Sequence, residues 1–272
     1  MPVFTNFAAY RFAPLRDLES WQTELRTFCG EGAIRGTILL SPEGINVFVS
    51  AERPVIDRLL GRLRELPGLA GLTGKLSASE HQPFNRMLVK IKKEIIAFGV
   101  EGIDPARLPA PRVTPRELKR WLDEGRSVTL LDTRNSYEVK LGTFRGARSL
   151  KLDHFREFPE AARSLPNEIK DEPVVTFCTG GIRCEKAAPL LEQAGFRKVF
   201  QLEGGILNYF EQCGGAHYEG DCFVFDKRVA LDASLRETGA AQCFVCQMPL
   251  TPNEQEDARY VESVSCPHCY TG

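Results

Sequence analysis

No stretch of this chain approaches the roughly 18 consecutive apolar residues of a membrane-spanning helix. Its first residues, MPVFTNFAAYRFAPL, lack the basic start and long apolar run of a secretory signal. Membrane and secreted classes are thereby set aside, and the cytoplasm is the expected compartment. Neither sign of charge dominates: 35 Lys and Arg against 36 Asp and Glu leave a net charge of -1. A nucleic-acid partner therefore needs a local basic face rather than the field of the whole molecule. There is no long internal repeat, flavin fingerprint, haem-attachment motif or two-histidine iron site. What is present is a chain of 272 residues, 43% hydrophobic, enough for about two cores. Its nine cysteines are odd in number and crowd toward the end. Without a signal peptide they read as thiol chemistry or metal ligation rather than a disulfide scaffold.

Prolines divide the chain. Four of them between residues 105 and 115 break any helix or central strand there, which predicts a linker over 103–112 between domains 1–102 and 113–213. Thr114, Pro115 and Glu117 then supply N-cap, first helical position and capping-box acid. Before the linker, TNFAAYRF, a GTILLSPEGINVFVS hairpin, GKLSASE and RMLVKIKKEIIAFG read as strands, with two amphipathic helices among them. The order β-α-β-β-α-β predicts a ferredoxin-like (acylphosphatase-like) domain. After the linker, VTLLDTR, VVTFC and KVFQLEGG are short apolar runs separated by crossover-length segments, which predicts a parallel α/β sheet. Asp132, Arg134, Cys178 and Glu203 fall at the carboxyl ends of those strands, where such sheets bind ligands. Residues 214–272 form a looser segment with one strand at CFVFD and a cysteine-bearing tail.

The stretch VVTFCTGGIRCEK places Cys178 between a strand and a helix beginning near Arg183 or Cys184. Over the loop Thr179, Gly180, Gly181, Ile182 and Arg183 the chain must turn tightly, and Gly180 with Gly181 permit the backbone angles required, so that N–H groups can face inward. A nest of free amides at a helix N-terminus favours an anion, lowering the thiol below its usual value of about 8.5. Arg183 adds a positive charge suited to an anionic substrate or a persulfide. Pro189 conflicts with this start, since it must kink the helix or delay it. Cys178 packing as a small hydrophobe is the plainer alternative. Cys184 reads either as a resolving thiol or as a buried helix-face cysteine. Asp132 and Arg134 read as a structural ion pair in preference to catalytic groups.

Two further patterns stand apart from the loop. Cys243, Cys246, Cys266 and Cys269 have the C-x2-C-x19-C-x2-C spacing of a closed four-thiolate zinc site, with His268 a bystander; exposed or disulfide-paired cysteines are the alternative. In RMLVKIKKE a strand turns Arg86, Lys90 and Lys92 to one face and Met87, Val89 and Ile91 to the other. That basic face suits an RNA backbone, or is simply solvated.

The segments LLDTRNSYEV, FRGA and the cysteine loop followed by GGILNY resemble the rhodanese superfamily over roughly 112–212. Together with EGIN, SEHQPFNRMLVKIKKEIIAFG, CTGGIRCEK and CFVFDKRV, nearly the entire chain resembles the bacterial rhodanese-like tRNA uridine(34) hydroxylases. The resemblance implies a rhodanese domain and oxygen-dependent hydroxylation of the wobble uridine at C5 in tRNA, with Cys178 as the active-site cysteine. It implies molecular oxygen as co-substrate and an electron donor of unknown identity; a structural zinc is the separate expectation from the cysteine spacing. FRGA lacks the histidine and proline of the segment common in ordinary rhodaneses, which disfavours a thiosulfate or persulfide sulfurtransferase. A non-catalytic partner-binding module ranks last, because Cys178 is retained.

Overall fold

The computed structural model describes residues 4–272, which form two compact units, one up to Ala97 and the other Phe98–Gly272. In the first unit the elements run β1 (Phe4–Phe12), α1 (Leu18–Glu31), β2 (Arg35–Ser41), β3 (Gly44–Ala51), α2 (Arg53–Arg64), β4 (Lys75–Ser79) and β5 (Met87–Ile91). Their sheet has the order β4-β1-β3-β2-β5. The first four strands are antiparallel neighbours in ferredoxin-like order, and β5 adds a fifth, parallel to β2. The apolar stripes of both helices, including Leu25, Cys29, Ile56, Leu59 and Leu63, close the core against Ile38, Leu40, Val47 and Val49.

The predicted strand RMLVKIKKEIIAFG is shorter than its apolar content suggests, ending at Ile91. The chain beyond is captured by the β2–β3 hairpin. Ser41 Oγ donates to Lys93 O at 2.8 Å, Ile95 N donates to Glu43 Oε1 at 2.7 Å, and Asn46 Nδ2 donates to Ile95 O at 3.2 Å. Side-chain bonds thus replace a ladder, which explains the polar residues in SPEGIN.

The second unit contains β6 (Arg112–Val113), α3 (Pro115–Asp123), β7 (Thr129–Asp132), α4 (Ser136–Val139), β8 (Gly142–Phe144), β9 (Arg148–Ser149), α5 (Phe158–Ala162), β10 (Pro173–Phe177), α6 (Cys184–Gln193), β11 (Lys198–Leu202) and α7 (Gly205–Cys213). β12 (Tyr218–Gly220), β13 (Cys222–Phe223), β14 (Ala230–Leu231), β15 (Ala241–Gln242), β16 (Pro249–Leu250) and α8 (Pro252–Gln255) follow. The main sheet is parallel throughout, in the order β6-β11-β10-β7-β9. Thr114 caps α3 by accepting from Glu117 N at 3.2 Å, a bond worth about 1 kcal/mol. The proline-rich 103–112 stretch clusters with this unit, where Gln201 N–H and Nε2 donate to Pro111 O and Ala110 O.

CFVFD contributes only a two-residue strand, β13, paired antiparallel with β14. The segment after residue 213 is bound to the α/β unit, because β12 pairs with β8 and Tyr218 packs edge-on against Phe144. Phe144 also meets Phe177 and Tyr209 at ring distances of 4.9 and 4.7 Å, forming an aromatic centre beneath the sheet's carboxyl end.

Candidate active site

β10 is apolar because it is the middle strand and is buried over Val174–Phe177. It delivers Cys178 to the carboxyl edge, and residues 179–183 turn into α6. Of the two loop glycines only Gly181 has a positive φ, +100°; Gly180 is exposed and has no need of glycine's freedom there. Gly181 N–H donates to Cys178 Sγ at 3.1 Å. α6 starts at Cys184 with Arg183 at its cap, and Pro189 sits inside the helix without delaying its start.

The loop is clamped from outside by α7. The amides of Ile206 and Leu207 donate to Cys178 O at 2.9 Å and Thr179 O at 3.1 Å. A Cβ on Gly205 would stand 2.4 Å from Cys178 O and 2.8 Å from Gly181 N. The second glycine of GGILNY is therefore set by the close approach of this helix to the loop, and the first, Gly204, by a positive φ of 68° and the Asn208 side chain.

Cys178 is fully buried, and burial alone pushes its thiol up. The hydrogen bond from Cys184, the charge of Arg183 and the backbone amides of Arg183 and Gly181 outweigh it, bringing the thiol from 9.0 down to about 5. Burial and the neighbouring Cys178 push Cys184 well up. Cys184 therefore stays protonated, a thiol donor to the thiolate, with Thr133 Oγ1 at 3.7 Å on its other side.

Arg183 is not available as a free anion binder, contrary to expectation. Its Nη1 and Nη2 donate to Glu138 at 2.5 and 2.7 Å, with side-chain exposures of 5% and 0% for the pair. Two parallel charge-assisted bonds hold the guanidinium flat beside the loop. Glu138 Oε2 also accepts from Asn135 N at 3.0 Å, closing a capping box at α4. Sequence reasoning missed Glu138; the N-x-x-E pattern of residues 135–138 signals the cap and carries no sign of the pairing. Thr179 Oγ1 donates to Phe223 O at 3.3 Å and lies 3.4 Å from Glu138 Oε1, while Ile182 is buried.

Asp132 and Arg134 form a separate, fully buried pair with nitrogen–oxygen distances of 2.7 to 3.2 Å. Arg134 Nη2 also donates to Gly142 O at 2.6 Å, and Thr143 Oγ1 to Asp132 at 2.7 Å. Every charge here is absorbed in joining β7 to β8, a structural task. Glu203 is exposed, and its carbonyl accepts from Asn208 at 2.7 Å.

In the first unit, Lys90 is exposed on the outer strand β5 and Arg86 and Lys92 are exposed just beyond its two ends, while Met87, Val89 and Ile91 turn toward the core. In the second, the thiols of Cys243, Cys246, Cys266 and Cys269 all lie within 4.8 Å of one another. Sulfur separations of 3.5, 3.6 and 3.9 Å match the ~3.8 Å of a tetrahedral four-sulfur site with metal–sulfur bonds of ~2.3 Å. These four residues can hold a metal ion. His268 is no part of the cluster: its Nε2 meets Glu254 Oε1 at 2.8 Å and Lys140 Nζ at 2.6 Å. Among the described residues no helix is long and apolar enough to cross a membrane.

A parallel sheet with an acidic cysteine cradled between β10 and α6 defines a rhodanese-like domain, and residues 114–212 match the rhodanese-like domain family. Residues 4–95 match the UPF0176 acylphosphatase like domain. The chain is 49% identical to a tRNA uridine(34) hydroxylase of Cupriavidus necator, over 97% of this chain and 95% of that one. It is 48% identical to a protein of the same name from Ralstonia nicotianae, again over 97% and 95%. Among solved structures, a rhodanese-like domain from Anabaena sp. is 27% identical, covering 40% of this chain and 79% of that one at a TM-score of 0.34. The chain belongs to the tRNA uridine(34) hydroxylase family.

Proposed function

We propose that this chain hydroxylates uridine 34 of tRNA at C5, with molecular oxygen as co-substrate and Cys178 as its reacting group. The observation that carries this reading is the Cys178 thiol, met by the Gly181 amide at 3.1 Å and brought to about 5 by Cys184, Arg183 and the amides of Arg183 and Gly181, so that it is ionised at neutral pH. Uracil C5 is a poor nucleophile toward oxygen. A thiolate adding at C6 moves the double-bond electrons through C5 onto O4, giving an enolate reactive at C5. Once oxygen is attached, loss of the C5 proton expels the thiolate and restores the ring. Uridine, oxygen, two electrons and two protons give 5-hydroxyuridine and water, so a separate reductant is required. In this reading loop amides, rather than the Glu138-bound guanidinium of Arg183, stabilise the developing negative charge.

The full burial of Cys178 favours a second role, in which the residue carries a persulfide or oxygenated sulfur and presents the reacting atom one bond farther out. A 5-fluorouridine-bearing tRNA separates the two: a covalent adduct at Cys178 supports addition at C6, and added sulfur or oxygen mass without an adduct supports the carrier. The function is tested by nucleoside analysis of tRNA treated under air and under argon, and of tRNA from cells lacking the protein. Oxygen-dependent gain of one oxygen on uridine, lost in Cys178→Ser, is the expected result. Turnover of thiosulfate and cyanide without any change in tRNA would establish a sulfurtransferase instead. In this reading Arg86, Lys90 and Lys92 contact the tRNA backbone, the four clustered cysteines hold a structural zinc, and the protein works in the cytoplasm.

A further inference from the structure

The CFVFD segment has a place at the loop that neither the fold nor the chemistry above uses. The β13–β14 hairpin is rigid at its tip. Val224 N donates to Val229 O at 2.9 Å, Val229 N to Asp226 O at 3.0 Å, and Arg228 holds Asp226 in a pair at 2.6 to 2.8 Å. The tip presents Phe225, which remains 47% exposed. Its ring stands edge-on to the buried Phe223 at 5.1 Å and 85°, and the Arg183 guanidinium lies 5.8 Å from its centroid. Phe223 in turn accepts from Thr179. One aromatic ring is thus fixed by the arginine whose amide faces the Cys178 thiolate, while nearly half its surface is left to solvent. Phe223 already fills the core, so burial does not explain why a second phenylalanine stands outside it.

We propose that Phe225 is a base-stacking residue, receiving the uracil ring of nucleotide 34 when the anticodon loop reaches Cys178. The proposal rests on the hydroxylase reading and adds the group that holds the base. A planar base recognised in single-stranded RNA is commonly held against an aromatic ring, and Phe225 offers one from a rigid hairpin, with the buried Arg183 guanidinium behind it. The adjoining ion pairs, Glu138–Arg183 and Asp226–Arg228, fix the ring's supports so that little side-chain entropy is lost on binding.

The test compares a tRNA anticodon stem-loop carrying uridine at position 34 with one that is abasic there, binding each to wild type, Phe225→Leu and Phe225→Trp. Wild type binds the uridine form more tightly by about tenfold, the usual worth of one stacked base. Phe225→Leu removes that preference, and Phe225→Trp retains it. The thiolate absorbance of Cys178 keeps its midpoint near 5 in both variants. A preference undiminished in Phe225→Leu, a wild type without preference, or a loss accompanied by a shifted thiolate midpoint each overturns the proposal. Failure of the hydroxylase reading shows separately, as unaltered uridine in the nucleoside analysis.

Discussion

Replacing Arg183 by methionine removes two things at once, the cation beside the Cys178 thiolate and the partner of a fully buried Glu138. The electrostatic part is read at the thiol. An opposite charge nearby moves a titration midpoint by about one to three pH units. Glu138 already takes up part of the arginine's field, so the lower figure applies, raising Cys178 from about 5 to about 6. The structural part is read in stability: an uncompensated buried carboxylate costs about 3–5 kcal/mol. Combining Arg183→Met with Glu138→Gln relieves most of that cost while leaving the thiol midpoint high. Linkage fixes the direction of the effect with pH. Because Cys178 is depressed in the folded state, its contribution to stability is complete above pH 9.0 and is lost as pH falls through about 5. The upper limit of its slope is about 1.4 kcal/mol per pH unit. In Arg183→Met the loss ends near pH 6 instead. The assays are thiolate absorbance, measured against Cys178→Ser in each background, and urea unfolding at several pH values. A midpoint unchanged in Arg183→Met, with stability alone reduced, would refute the reasoning and leave the acidity to the amides and Cys184.

Two other predictions concern surfaces remote from that chemistry. Purified protein contains one zinc per chain by elemental analysis, and Cys246→Ser loses it together with protease resistance over residues 240–272; zinc content unchanged in the variant removes the site. Reversing charge at Lys90 and Lys92 weakens tRNA binding and flattens the log-log salt dependence by about 0.7 to 0.9 for each phosphate no longer neutralised. Equal affinity at several salt concentrations places the RNA face elsewhere.

What the sequence made legible was local. An apolar run ending in cysteine and glycines can only be a strand entering a turn, and Thr114 with Pro115 and Glu117 announces a helix start through bonds within four residues. The cysteine spacing worked for the same reason, because each C-x2-C pair is a single turn of chain. Hidden features depended on residues far apart in sequence. Glu138 and Arg183 are 45 positions apart, and nothing in SYEV marks its acid as buried. Gly205 is glycine because of a backbone 27 positions earlier, and the end of β5 is decided by Ser41, Glu43 and Asn46. Pro189 misled in the opposite direction: it sits inside α6 while the helix still begins at Cys184.

The Glu138–Arg183 pair bears on substrate choice as well as stability. With the Cys178 thiolate, the Glu138–Arg183 pair makes a group of two negative charges and one positive. An incoming thiosulfate dianion would meet net negative charge in a site of low dielectric, and the guanidinium suited to receive it is already bound at two points to a carboxylate. Uracil is neutral at physiological pH and escapes that repulsion, so its approach costs chiefly desolvation of two carbonyls and one N–H. The negative charges of Glu138 and the thiolate therefore disfavour anionic sulfur donors and favour a neutral base. Glu138→Gln provides the contrast: removing one negative charge should raise any residual thiosulfate turnover, and a decrease would mean that Glu138 acts by holding Arg183 in place for the anion.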